Sequence, residues 1–237
     1  IVDTVGCNLS ENPAYKFQYG CLNYVIRQYD LACEINGYLA AHPNACVVEL
    51  GCGLSTLRTQ MGYQGTSWYN VDMEDVIELR NALIPTGSDE RNIGCDLNDF
   101  VWFDKIGFSP EDRIVFVGGG LFYYFEREKV KALFCALAER FPGGMIAFDA
   151  TNKTGLKMVN KQVKMAGNET KSFFALERPK AELEDWSSRI VNVSEKDYMR
   201  GYLKGGYRPT LMTRFFCRFC IWFHTSFIVH IEFALQK

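Results

Sequence analysis

The sequence predicts a doubly wound α/β domain, on three observations. Short, continuously apolar runs alternate with segments of helical periodicity along most of the chain. The first of these runs, Val47-Val48-Glu49-Leu50, breaks directly into the glycine turn Gly51-Cys52-Gly53. An acid, Asp72, closes the next run, Trp68-Tyr69-Asn70-Val71. A buried strand, a glycine turn, a helix and an acid about 20 residues further on is the order in which a nucleotide-fold sheet holds a ribose-bearing ligand.

The elements follow in order. Over residues 15–41, Leu22, Val25, Ile26, Tyr29 and Leu39 recur at helical spacing and His42-Pro43 closes the pattern, which predicts helices packed ahead of the sheet. Residues 45–50 form the first strand, 55–62 the first crossover helix and 66–72 the second strand. Residues 74–83 are a helix stopped by Pro85, because proline lacks the N–H that a helix needs and disfavours helical backbone before it. Residues 91–95 are a short third strand leading to Asp96-Leu97, and 113–117 are a fourth running into Gly118-Gly119-Gly120. Residues 126–141 are an amphipathic helix ended by Pro142-Gly143-Gly144, and 145–148 a fifth strand ending at Asp149. Strands alternating with helices predict a parallel sheet covered on both faces. Beyond Thr151 the pattern changes to a helix at 153–165, a mixed stretch at 171–188, a sixth strand at 189–193 and a seventh at 227–234. An excursion of this kind is where such folds place substrate contacts.

Composition narrows the function classes. The 237 residues are 48% apolar and 23% charged, enough for one well-covered core. The net charge of -2 and the absence of a Lys/Arg cluster argue against a nucleic-acid backbone as partner and for a small molecule. Nine cysteines without framework spacing are expected to be reduced, mostly buried thiols of a cytoplasmic protein. The start at Ile1, with no basic-then-apolar leader, is expected to be a truncated one rather than a signal peptide. The apolar stretch 211–235 contains Arg214, Arg218, His224, His230 and Glu232; at about 2.5 to 3.5 kcal/mol for each central Arg it is expected to be a buried helix and strand, with no membrane span. Cys217-Arg218-Phe219-Cys220 with His224 and His230 lacks a second CxxC, so no metal site is expected. Oligomeric state is not legible in the sequence.

Ligands of open α/β sheets sit beyond the carboxyl ends of the strands, which places Glu49 to Ser55, Asp72, Asp96 and Gly118 to Gly120 at the site. Gly51 and Gly53 let backbone approach a ligand closely. A dinucleotide turn needs a third glycine, and here the chain reads Leu54-Ser55-Thr56. Glu49 before the turn would repel a pyrophosphate but suits a cofactor with a positively charged amino-acid part. Asp72 can accept from both hydroxyls of a ribose; alone it reads equally as a helix N-terminal acid.

Together, Val47-Val48-Glu49-Leu50-Gly51-Cys52-Gly53-Leu54, Trp68-Tyr69-Asn70-Val71-Asp72, Cys95-Asp96-Leu97 and Val117-Gly118-Gly119-Gly120-Leu121-Phe122-Tyr123-Tyr124 resemble the class I S-adenosylmethionine-dependent methyltransferases. Within these they are most similar to the leucine carboxyl methyltransferase-like and polyketide O-methyltransferase group. The resemblance implies a Rossmann-like sheet of six parallel strands and an antiparallel seventh. It implies one domain with an N-terminal helical lid (1–43), a cofactor-binding core (44–152) and substrate-side helices with a C-terminal hairpin (153–237). By similarity, Gly51, Cys52 and Gly53 would pack against the methionine part of S-adenosylmethionine. Asp72 beside Met73 would hold the ribose, and Asp96 with the Leu97 backbone the adenine. Arg27 would pair with the cofactor carboxylate, its other reading being a solvated helix residue, and Gly118 and Gly119 would adjoin the cofactor. The chain departs from the family pattern at Ser55, where Asp is usual, and at Gly119, where relatives place a Glu against the cofactor amino group.

The implied reaction is transfer of a methyl group to a carboxylate or hydroxyl of a small molecule. Tyr123, Asp149, Asn152 and Trp186 are the expected acceptor-pocket residues, with Asp149 and Asn152 reading equally as caps and Tyr124 as core packing. A carboxylate acceptor needs no base, and no His lies near the cofactor motifs. Two further readings are a binding protein that keeps the pocket without turnover and a nicotinamide oxidoreductase, the latter disfavoured by Glu49 and the missing glycine.

Overall fold

The structure, a computed structural model, describes residues 18–165, 170–198 and 211–235. The first 17 residues of the expected lid, and residues 166–169, 199–210 and 236–237 of the expected substrate-side part, lie outside the described residues. In chain order the elements are α1 (Gln18–Ala41), β1 (Cys46–Leu50), α2 (Leu57–Met61), β2 (Trp68–Asp72), α3 (Glu74–Leu83), β3 (Glu90–Gly94), β4 (Ile114–Gly118), α4 (Arg127–Arg140), β5 (Met145–Ala150), α5 (Lys153–Met165), α6 (Pro179–Glu184), β6 (Ile190–Asp197), α7 (Leu211–Trp222) and β7 (Phe227–Phe233).

The seven strands form one sheet in the order β3-β2-β1-β4-β5-β7-β6. The pairs from β3 through to β5 are parallel, and β7 is antiparallel to both β5 and β6, so six strands share one direction as expected. Chain order reverses between β1 and β4, where two crossovers leave in opposite directions and open a crevice at the carboxyl ends. Alternation along the strands divides the core. Val48, Leu50, Ile114 and Phe116 face the layer holding Phe134, Leu137 and Phe141, while Val47, Val115 and Val117 face Ile26, Leu31 and Ile35 of α1. Each such side chain contributes about 1.5 to 3 kcal/mol of apolar burial, which is why the strands read as continuous apolar runs.

Local chemistry sets the boundaries. α2 ends at Gly62, in left-handed backbone at φ 69°. α3 opens with Glu74 and Asp75 against the positive end of its dipole, and Ile84 is extended because Pro85 follows. α1 is tied to the far strands: the buried Glu34 accepts from Lys196 Nζ at 2.5 Å and pairs with His230 Nδ1 at 2.9 Å.

Three expectations are corrected. The segment 211–222 is not a buried helix, because an apolar run that continues round a helix cannot bury every side. Cys217 and Cys220, three residues apart on one face, are buried, whereas Leu211 and Trp222 are each 85% exposed. The C-terminal strands pair antiparallel as a hairpin would, but α7 lies in their connection. β6 also runs four residues beyond the expected Val193, since Glu195, Lys196 and Asp197 keep pairing with Val229, Ile228 and Phe227 of the apolar β7. Their charges suit an edge strand. No described helix is long and apolar enough to cross a membrane.

Candidate functional site

The glycine turn is built as its sequence requires. Leu50 and Gly118 are register partners at the ends of β1 and β4, so the turn after β1 and the glycines after β4 stand side by side at the switch point. Gly51 and Gly53 have φ of 60° and 48°, left-handed backbone that disfavours a Cβ. A Cβ on Gly51 would also stand 2.5 Å from Leu121 Cδ1, whereas one on Gly53 would meet nothing within 4 Å. The turn therefore leaves open space beside its backbone, where a ligand can approach.

Asp72 is locked to that turn. Its Oδ2 accepts from the Gly53 N–H at 2.7 Å and its Oδ1 from the Met73 N–H at 2.8 Å. Each carboxylate oxygen has a second lone pair, so the fixed carboxylate can still accept from two vicinal hydroxyls. One strand further out, the Asp96 Oδ1 accepts from both the backbone N–H and side-chain amide of Asn98, at 2.9 and 2.6 Å, which hold its carboxyl below the usual range. Leu97 beside it is buried while Asp96 is exposed, a polar edge over an apolar floor.

Behind the turn lies a buried network in which sequence reasoning missed a residue. Arg80, 3% exposed on α3, donates to the carbonyls of Gly53 at 3.1 Å and Ser55 at 2.7 Å, and pairs with Glu90 at 3.3 Å. Glu90 also accepts from Asn70, which accepts from the Trp68 indole. A positive helix residue 27 positions from the carbonyl it binds leaves no local signal; the trace available was an Arg on an otherwise apolar helical face. Glu49 is buried against this network. Burial pushes its carboxyl up to about 7, with Ser55 and Arg80 pulling the other way. Cys52 is buried too, and its thiol is raised by desolvation, which makes it packing rather than a nucleophile.

Arg27 and Asp149 meet on the other side of the turn. The Asp149 carboxylate, 5% exposed at the end of β5, accepts from the Gly120 N–H at 2.6 Å and from the Tyr123 hydroxyl at 3.1 Å. The Arg27 guanidinium lies 3.7 Å from its Oδ2. Burial and the Asp149 charge push the Tyr123 phenol well up, so it stays a proton donor. The glycines after β4 make room for the guanidinium: a Cβ on Gly120 would collide with it, and one on Gly119 would stand 3.5 Å from its Nε and 3.0 Å from Leu31.

Other expected residues are placed elsewhere. Asn152 caps α5, its Oδ1 accepting from the Gly155 N–H at 2.9 Å while its amide donates to the Phe223 carbonyl at 3.2 Å. Trp186 packs against Phe134 and Phe174 with Arg127 over its ring, within the layer that contains α4. Tyr124 is 47% exposed rather than core packing, since the short helical turn at Phe122–Tyr124 buries only Phe122. The three histidines lie away from the turn: His42 against Tyr38, His224 on Phe227 with Glu195, and His230 with Glu34.

Against this geometry, residues 34–138 match the leucine carboxyl methyltransferase family model. That span contains the glycine turn, Asp72, Asp96 and the glycines after β4. Over that span the chain is similar to the leucine carboxyl methyltransferase-like group of class I S-adenosylmethionine-dependent methyltransferases. It is 34% identical over 115 residues to a tetracenomycin polyketide synthesis O-methyltransferase of Streptomyces glaucescens, a match covering 48% of this chain and 42% of the relative. It is 26% identical over 145 residues to an S-adenosyl-L-methionine-dependent methyltransferase of Gibberella zeae, covering 56% of this chain and 48% of the relative. The chain thus spans less than half the length of these relatives. Among solved structures, a methyltransferase-like protein of Thermobifida fusca superposes with a TM-score of 0.62 at 14% identity, covering 94% of this chain and 84% of that one, which establishes the shared fold.

Proposed function

We propose that this chain binds S-adenosylmethionine and transfers its methyl group to an oxygen of a small molecule, a carboxylate or a hydroxyl. The observation that carries the reading is the Gly51–Gly53 turn, in left-handed backbone and held to the Asp72 carboxylate at the switch point of the sheet. The residues present fit the cofactor. Gly51, Cys52 and Gly53 offer open backbone to its methionine part, Asp72 beside Met73 its ribose acceptor, and Asp96 with Leu97 a polar edge and apolar floor for adenine. Arg27 beside Gly119 and Gly120 offers a cation for its carboxylate. Glu49 serves from behind, by holding the turn with Arg80 and Ser55. The names of the Streptomyces and Gibberella relatives support both the donor and an oxygen acceptor.

When bound, the cofactor supplies a methyl group made electrophilic by the sulfonium. The work left to the protein is to align an acceptor oxygen about 3 to 3.5 Å from that carbon and to exclude water. Tyr123, a neutral phenol whose hydroxyl donates to Asp149, is read as lining the acceptor side. A carboxylate acceptor would arrive ionised and need no base. The division into a lid (1–43), a cofactor-binding core (44–152) and a substrate side (153–237) belongs to the same proposal.

Calorimetry with S-adenosylmethionine, S-adenosylhomocysteine and NAD tests the cofactor, and labelled methyl donor with a panel of carboxylic acids and phenols tests the transfer. Binding of the two adenosyl compounds is expected, weakened more than tenfold by Asp72→Ala. NAD binding without binding of either adenosyl compound, or unchanged affinity in the Asp72 variant, would refute the reading.

A further inference from the structure

The cofactor proposed above is a zwitterion at one end, with an ammonium and a carboxylate on one carbon, and an anion and a cation a few ångströms apart can take both charges. Beside the glycine turn, the end of β4 offers no charged side chain, because residues 118–120 are all glycine. The charges come instead from the elements flanking it. Arg27 reaches in from α1, and Asp149 from the end of β5, next to β4 in the sheet. Their closest approach of 3.7 Å is an ion pair but exceeds hydrogen-bond length, so the pair is loose enough for a ligand to compete for both members.

We infer that Asp149 takes the ammonium of the cofactor's amino-acid end, beside the Arg27 that the proposed function already pairs with its carboxylate. The inference rests on the S-adenosylmethionine reading. A carboxylate offers about four acceptor positions, and the Gly120 N–H and Tyr123 hydroxyl occupy two of those on Asp149. The remaining positions suit an ammonium, with its three donors. Those two fixed donors also set the direction of the Asp149 carboxylate, and the bare backbone at Gly119 and Gly120 sets that of Arg27. The guanidinium fork can meet a carboxylate with two parallel bonds. At 5% exposure Asp149 faces little competing water, so exchanging a loose ion pair for two close charge-assisted contacts favours binding.

Three ligands separate the two roles by calorimetry on the full chain. S-adenosylhomocysteine carries both charges, decarboxylated S-adenosylmethionine carries the amine without the carboxylate, and 5′-methylthioadenosine carries neither. The unaltered chain is expected to bind S-adenosylhomocysteine at least tenfold more tightly than 5′-methylthioadenosine. Asp149→Asn, which keeps an acceptor for the Gly120 N–H, should weaken the first two ligands at least tenfold and leave the third within twofold. Arg27→Gln should weaken S-adenosylhomocysteine alone. Equal loss for all three ligands in either variant would mean a merely structural role and would overturn the inference, as would an Asp149→Asn chain with undiminished affinity for the amine. If Asp149→Asn fails to fold, as judged by circular dichroism, the Arg27→Gln arm still decides: loss of affinity for decarboxylated S-adenosylmethionine would reject the assignment. Tight binding of 5′-methylthioadenosine without discrimination refutes the pair while leaving the adenosyl cofactor intact. An unaltered chain that binds none of the three refutes the cofactor reading itself.

Discussion

Replacing Arg80 by Met should cost this protein about 3 to 5 kcal/mol, although the residue lies in no motif. The side chain is 3% exposed and its guanidinium has three partners: the Gly53 carbonyl, the Ser55 carbonyl and the Glu90 carboxylate. Methionine keeps much of the apolar stem, so transfer and cavity effects are small. Two carbonyl bonds from a charged donor are worth about 1.5 to 3 kcal/mol each before the carbonyls find water, and the turn is open enough for them to find it. The larger cost is Glu90, left as a buried carboxylate without its most buried counter-ion. Breaking a buried pair on one side typically costs about 3 to 5 kcal/mol. Arg58, 3.6 Å from the same carboxylate, together with Asn70 and the Gly87 N–H, keeps the total within that range rather than above it. Guanidinium unfolding followed by far-ultraviolet circular dichroism measures the loss as a lower midpoint at unchanged slope. Glu90→Gln added to Arg80→Met should recover about half. A loss below about 1 kcal/mol, or no recovery in the double variant, would refute the argument that Arg80 holds the turn through a buried charge pair.

Three further outcomes follow from the same geometry. Glu49 has a folded-state carboxyl raised from 4.5 to about 7, so between those values the folded chain binds more protons than the unfolded one, and stability falls as pH rises across that window. Glu49→Gln should flatten that slope and be more stable than the parent at pH 8 by up to about 3 kcal/mol, at 1.36 kcal/mol per pH unit; parallel stability–pH curves would refute it. Gly51→Ala should destabilise by about 2 to 3 kcal/mol and Gly53→Ala by about 1, because both strain left-handed backbone but only Gly51 also meets Leu121. Equal losses by thermal unfolding would contradict the packing of Leu121 on the turn. Tyr123→Phe removes one of the two donors that orient the Asp149 carboxylate and should weaken S-adenosylhomocysteine binding by about threefold to tenfold while leaving 5′-methylthioadenosine within about twofold; equal weakening of both would refute that orientation.

How far the sequence could be read differs between elements for identifiable reasons. Strands β1, β2, β4 and β5 are buried on both faces, so their apolar runs end where burial ends, and their limits fall within two residues of expectation. α3 and α5 match residue for residue, α3 because Asp72-Met73 and Pro85 bound it. β6 was misjudged because an edge strand's limits are set by its neighbour's register, and α7 because an apolar run gives no direction for the face that packs. Among site residues, the glycine turn and Asp72 were legible from type and spacing. Asp149 was noticed, but not its partners; Arg80 was missed; Asn152 takes the cap role that was its equal reading, and the contacts of Trp186 with Phe134, Phe174 and Arg127 could not be read from sequence. Each of those depends on a side chain meeting something far away in sequence.

The chain's apolar periodicity determined by itself that a parallel sheet forms, covered on both faces, and its glycines and acids determined which strand ends can meet a ribose-bearing ligand. Both are local properties, since a strand's burial and a turn's backbone angles are written in neighbouring residues. Only the tertiary structure decided that Asp149 faces Arg27 across bare glycine backbone, that Arg80 holds the turn from behind, and that Asn152 is a cap. Long-range pairing brings those groups together from separations of 25 to more than 100 positions, and no local pattern records which charge will find which partner.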